Sequence, residues 1–153
     1  MKLEDYFINV DSDRYCGLRR FHEDHLHLIG VAAGSAKKHQ AWQGGYRHHL
    51  EQCLQIAFDL YCRHARYLPF DFSSVVLVLY FHDLEKIWKY SIGLPPDFDK
   101  TDWYNNVLPN KYGIVFNSEE LNALRYVHGE GEDYSDERIM NELAGICHAA
   151  DVL

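Results

Sequence analysis

At 153 residues, with 47% hydrophobic and 25% charged residues, the chain has the length of one domain and the composition of a globular, core-forming protein. A net charge of −8, with no Lys/Arg run longer than two residues, argues against a track for long nucleic acid, which needs cations at many phosphates. No apolar run is long enough for a bilayer, the start MKLEDYF is not signal-like, and Cys16, Cys53, Cys62 and Cys147 form no CxxC; a cytoplasmic, non-membrane protein with reduced, mostly buried thiols is expected.

Residues 1–15 are mixed and predict an extended or partly ordered segment. From Leu18 to Ala33, apolar positions recur at three- and four-residue spacing and predict a helix. Its His22 and His25 share a face, but no cysteine joins them, so a solvated face or core edge is the preferred reading. A second helix begins near Gly45 and runs to about Tyr67, stopped by Pro69. His49, Cys53, Ile56 and Leu60 follow one face of it, so His49 starts the buried stripe, while His48 points about 100° away.

The apolar run VVLVLYFHDLEKIWKY, Val75 to Tyr90, predicts a central helix capped by Asp71 or Ser73. It carries His82-Asp83 in its middle and Lys86 one turn later. A buried charge there needs a partner; either a structural His–Asp pair or a metal ion meets that need. Residues 91–117 form a long connection with one helical turn near Thr101 to Val107, either a lid or a surface excursion. Asn117-x-x-Glu120 has the form of a capping box and opens a helix ending at His128, before Gly129 and Gly131. Ser135 starts the last helix, with Ile139, Leu143, Ile146, Cys147 and Ala150 as its core stripe and His148 and Asp151 spaced i, i+3. No strand pattern competes, so the domain reads as all-α.

The chain has ten histidines, a count that asks for a reason. Four helices offer His or Asp beside their apolar stripes: His49, His82-Asp83, His128, and His148 with Asp151. Packed as a bundle, such stripes face inward and their polar members must meet partners.

The order His … His-Asp … Asp resembles the HD-domain metal-dependent phosphohydrolases. GGYRHHLEQCLQIA resembles the family's first motif, in which the histidine four residues after the second glycine binds metal, here His49. YFHDLEK resembles the second motif, RYVHG the intermediate histidine-glycine, and CHAAD the closing motif with its aspartate. KKHQAWQGG is similar to a segment of HD exoribonucleases and relaxase-associated HD proteins, although only His39 of that histidine cluster is present. The motifs cover about residues 34–153, with 33 residues from His49 to His82 and 68 from Asp83 to Asp151.

The resemblance implies a compact HD-type bundle of about five or six helices, one domain over 1–153, with a metal site in its core. His49, His82, Asp83 and Asp151 would hold a divalent ion (Mn, Fe, Co, Ni, Zn or Mg), one ion or two. The implied activity is hydrolysis of a phosphoester in a nucleotide or short phosphodiester by a metal-activated water. The alternatives are a regulatory domain that binds metal and nucleotide without turnover, and a 3′-5′ exonuclease. Asp83 would orient or deprotonate the water, and Lys86 would either offset phosphate charge or pair with Glu85 or another acid. His128 and His148 would bind phosphate, protonate a leaving group or hold a second ion; for His128 a C-terminal helix-charge contact competes. His39, with Lys37 and Lys38, is a substrate-contact candidate. The chain stops two residues after Asp151, so its last helix is either short or completed by a second copy in a homo-oligomer.

Overall fold

A computed structural model describes residues 1–37 and 40–153, and among these it is all-helical, with no strand. The architecture is built around α4, Phe72–Phe81, in which all ten residues are buried. A helix apolar on every side has no solvent face and is stable only when surrounded. Here α3 (Gly45–His64), α8 (Ser118–Tyr126), α9 (Glu142–Val152) and the N-terminal 3-10 segment Leu3–Asn9 all pack against α4. The helix α9 also packs against both α3 and α8.

The expected extended N-terminus is instead helical: Leu3, Tyr6 and Phe7 of the 3-10 segment are core residues. The first α-helix, α1, spans Ser12–Asp24, with the Asp11 carboxylate accepting from the Arg14 N–H at its N-cap. The helix expected over 18–33 is broken at His25. That residue's N–H is shared between the Phe21 and His22 carbonyls, its Nδ1–H donates to the Phe21 carbonyl, and α2 restarts at Leu26–Val31. His22 is buried between Tyr80 and Glu4, a core-edge histidine as the residue pattern suggested.

The glycine pair at the start of α3 has two separate jobs. Gly44 sits at φ +81°, a left-handed conformation that favours glycine. A Cβ on Gly45 would come 1.9 Å from the Gln40 carbonyl oxygen, so that loop crosses the helix start only because no side chain is there.

The central helix does not continue to Tyr90. It ends at Phe81, followed by a turn over 82–85 and the short α5, Lys86–Lys89. Competition for carbonyls explains the break. His82 Nδ1–H takes the Leu79 carbonyl at 2.6 Å, and the Tyr104 hydroxyl takes that of Phe81 at 2.6 Å. Lys100 Nζ donates to the His82 carbonyl, and the turn's own N–H groups bond three residues back. Ser73, expected as a cap, exchanges hydrogen bonds with Asp11 instead, and Asp71 occupies the N-cap position without a side-chain bond.

The long connection holds more helix than one turn: α6 (Lys100–Asp102), a π-helical turn Trp103–Val107 and α7 (Leu108–Tyr112) run on continuously. Pro109 offers no N–H to the Asn105 carbonyl, and the wider π turn just before it absorbs that gap. The expected capping box is present: Asn117 Oδ1 accepts from Glu120 N–H at 2.8 Å, and Glu120 Oε1 accepts from Asn117 N–H at 2.9 Å. The last helix starts at Glu142 rather than Ser135, because Asn141 caps it through Ala144 N–H at 2.8 Å. More segments result than expected, since breaks at His25 and His82 divide helices that periodicity joins. Of the four free thiols, Cys53 and Cys147 are buried but Cys16 and Cys62 are exposed, which corrects the expectation of mostly buried cysteines.

Candidate metal centre

Two helices and one turn deliver the ligands. His49 comes from the first turns of α3, His82 and Asp83 from the turn that ends α4, and Asp151 from the end of α9. One donor atom from each of the four lies within 4.8 Å of the others, so this largely buried cluster could hold a metal ion. The His82 and Asp83 side chains are 0% and 2% exposed, and those of His49 and Asp151 13% and 11%. That gradient leaves one side of the cluster open.

Distances within the cluster are those of paired charges. Asp151 Oδ1 lies 3.1 Å from Nε2 of both His49 and His82. Asp83 Oδ2 lies 3.1 Å from His82 Nε2 and 3.6 Å from His49 Nε2. Because a carbonyl only accepts, the bond to Leu79 fixes the proton of neutral His82 on Nδ1. Its Nε2 lone pair then points at two carboxylates, an arrangement that requires a cation between them, either a proton or a metal ion. An imidazole oriented through its second nitrogen is also the usual state of a metal-binding histidine.

His128 joins the group from the turn after α8. Its Nδ1 is 3.1 Å from Asp151 Oδ2 and its Nε2 3.2 Å from Asp83 Oδ1, with its side chain 55% exposed. It therefore lies across the open side, touching both carboxylates. Lys86 Nζ donates to Asp83 Oδ2 at 2.8 Å, so the acid that Lys86 pairs with is the candidate ligand itself. Glu85 turns away and pairs with Lys100 at 2.9 Å.

The electrostatics follow from this crowding. Burial pulls His49 and His82 toward neutrality, but the Asp83 and Asp151 carboxylates outweigh it and push them up to about 11 and about 10. At His128 the same two carboxylates, Asp151 first, push the imidazole up to about 9 against partial burial. Burial raises Asp83 and Asp151, yet His82, His128 and His49 overcome it and hold both well below the ordinary carboxylate range. Without metal, the site is held together by protons on imidazole.

His148 does not join the carboxylates. Its Nδ1–H donates to the Val127 carbonyl at 2.6 Å, which steadies the turn presenting His128. Lys38 and His39 lie outside the described residues. Lys37 is exposed, and His48 is exposed beside Trp42. Residue patterns alone did not single out Lys100 and Tyr104, which bond the carbonyls at the His82 turn; only a cluster of aromatics marked that segment. Cys53, on the same helical face as His49, brings its Sγ within 3.6 Å of His49 Nε2.

A scan against protein-family models found no match, and searches of curated proteins and of solved structures found none either. Of the described residues, no helix is long and apolar enough to cross a membrane.

Proposed function

We propose that the chain is a metal-dependent phosphohydrolase of HD type, acting on a nucleotide or other small phosphoester. The observation that carries this reading is the orientation of His82. Its fixed Nδ1–H leaves Nε2 facing Asp83 and Asp151 at 3.1 Å, with His49 completing a two-imidazole, two-carboxylate donor set. Imidazole with carboxylate suits Mn, Fe, Co, Ni or Zn better than an all-oxygen cation such as Mg. When bound, such an ion supplies Lewis-acid polarisation of a phosphoryl oxygen and lowers the pKa of water.

The protein's own groups would do the rest. Lys86, half-buried and fixed by Asp83, presents a point charge beside the centre for a phosphate oxygen. His128, half exposed on the open side and in contact with both carboxylates, would give a proton to a leaving oxygen. Asp83 Oδ1, which faces His128, would orient a nucleophilic water. His148 acts through the backbone, holding the Val127–His128 turn.

The test is elemental analysis of the purified protein, followed by a nucleotide and phosphodiester panel with Mn, Co, Ni, Zn and Mg. A released product that is lost in Asp83→Ala supports the proposal. Bound metal and nucleotide with no product for any metal would assign a regulatory role instead, and stepwise release of nucleotides from RNA ends an exonuclease.

A further inference from the structure

A cavity of about 490 Å³ opens between the α6–π segment and α8, and His128 is one of its lining residues. It therefore shares a wall with the candidate metal centre. Its volume lies within the range of about 300–1,000 Å³ usual for small-molecule sites. The walls are amphipathic. Leu121 and Leu124 come from α8, and Tyr104 comes from the π turn. The Tyr104 hydroxyl is committed to the Phe81 carbonyl, so what Tyr104 offers an occupant is its ring. Asn105, exposed at the rim, adds an amide that can both donate and accept.

Three cationic side chains also line the cavity, and one of them, Arg125, is paired with Asp133. Of the others, Lys100 donates to the His82 carbonyl and pairs with Glu85, and His128 spans Asp83 and Asp151. A ligand filling this space would put a ring against leucine and tyrosine, and an anionic group toward His128 and Lys100. That division into a flat apolar body with hydrogen-bonding edges and an anionic end describes an aryl or heteroaryl phosphoester.

Resting on the phosphohydrolase reading, we infer that this cavity holds the leaving-group portion of the substrate, a ring of nucleoside size, and that Leu121 and Asn105 set how large that group can be. The long 91–117 connection is then a specificity wall, because it supplies Lys100, Tyr104 and Asn105 to one side of the pocket. The preference arises from burying ring surface that a compact phosphoester lacks.

The test is calorimetric titration of the Mn-loaded protein with two probes that cannot be hydrolysed, an adenosine 5′-phosphonate and methylphosphonate. The expected result is at least tenfold tighter binding of the adenosine compound. Leu121→Trp, which fills the cavity from α8, should remove most of that tenfold difference while metal content stays the same. Asn105→Trp, exposed and on the opposite wall, should do likewise and serves if the first variant does not fold. Equal affinity for both probes in the wild type, or a preference unchanged in a folded variant, would overturn the inference. The two readings separate cleanly. A protein that binds the adenosine phosphonate here but releases no product from any phosphoester keeps the cavity and loses the hydrolase. One that cuts phosphoesters with no preference for ring-bearing leaving groups keeps the hydrolase and loses the cavity.

Discussion

His82 Nε2 and Asp151 Oδ1, 69 residues apart in the chain, lie 3.1 Å from each other in the core. The same oxygen is 3.1 Å from His49 Nε2, so one carboxylate from the last helix ties together ligands from α3 and from the turn after α4. A single acid thus organises the centre, and removing it should be felt in metal binding, in stability and in their pH dependence.

Metal binding should release protons. Without metal, His49 and His82 stand at about 11 and about 10, and so carry protons at neutral pH that a metal must displace. Apparent affinity for Zn or Mn should therefore rise as pH is raised from 6 to 9. Titrations in buffers of different ionisation enthalpy would count the protons. An affinity flat across that range would remove these imidazoles from the ligand set.

Stability of the chelated protein should fall on the alkaline side. An imidazole whose folded pKa exceeds its unfolded value of about 6.5 contributes stability that is complete below that pH, and loses it as pH rises through the folded value. For this cluster the loss runs from about 6.5 up through about 9 to 11. Asp83 and Asp151, held low, contribute above about 4 and lose that contribution on acidification. The Tm of chelated protein should thus decline between pH 7 and 10, and less steeply once metal is restored. Thermal melts in paired buffers would read both.

Asp83→Asn should cost both metal and fold. It removes the charge that faces His82, His49, His128 and Lys86 in a site where Asp83 is 2% exposed. Breaking a buried pair by removing one partner costs about 3–5 kcal/mol, less whatever the imidazoles recover by losing their protons. Urea denaturation of chelated protein measures the loss, and elemental analysis the metal. A variant that keeps full metal occupancy would contradict the ligand assignment.

Tyr104→Phe should loosen the turn that carries His82 and Asp83. The Tyr104 hydroxyl, buried, donates to the Phe81 carbonyl, and its loss costs about 1 kcal/mol. Metal affinity should drop a few-fold, with Lys100→Met acting in the same direction through the His82 carbonyl. Competition with a coloured chelator would measure both; unchanged affinity in the two would show that the turn holds itself.

Glu120→Ala should be among the most damaging changes away from the centre. Glu120 is fully buried and accepts from Arg14, Asn117 N–H and the Ser74 hydroxyl, so it links α1 and α4 to the start of α8. Removing it leaves the largely buried Arg14 without its closest carboxylate, again at a cost of about 3–5 kcal/mol. Urea melts would detect it, and a loss below 1 kcal/mol would mean that water replaces the carboxylate.

Much of this was legible in the residues. His49 leaves α3 on its inward side and His48 on its outward side, as a step of about 100° per residue requires. The Asn117–Glu120 box is a contact within one turn and was found where the pattern put it. What was illegible involves groups distant in sequence. Periodicity continues through His82, so it could not show that Tyr104 and Lys100 take the carbonyls that would have prolonged α4. Ser135 is a good cap residue, but Asn141 is the one whose side chain reaches an N–H of a docked helix.

The sequence by itself determined an all-helical fold, a strongly apolar central helix, and the sides of their helices that carry His49 and Asp151. Those are consequences of spacing and capping, which act over a few residues. Only the tertiary structure decided that Asp151 reaches two histidines, that His128 joins the carboxylates while His148 turns to the Val127 backbone, and that Lys86 pairs with Asp83 itself. Helical period sets the direction in which a side chain leaves its axis. What it meets depends on which helix packs opposite and at what height, and that is fixed by the burial of α4 among α3, α8 and α9.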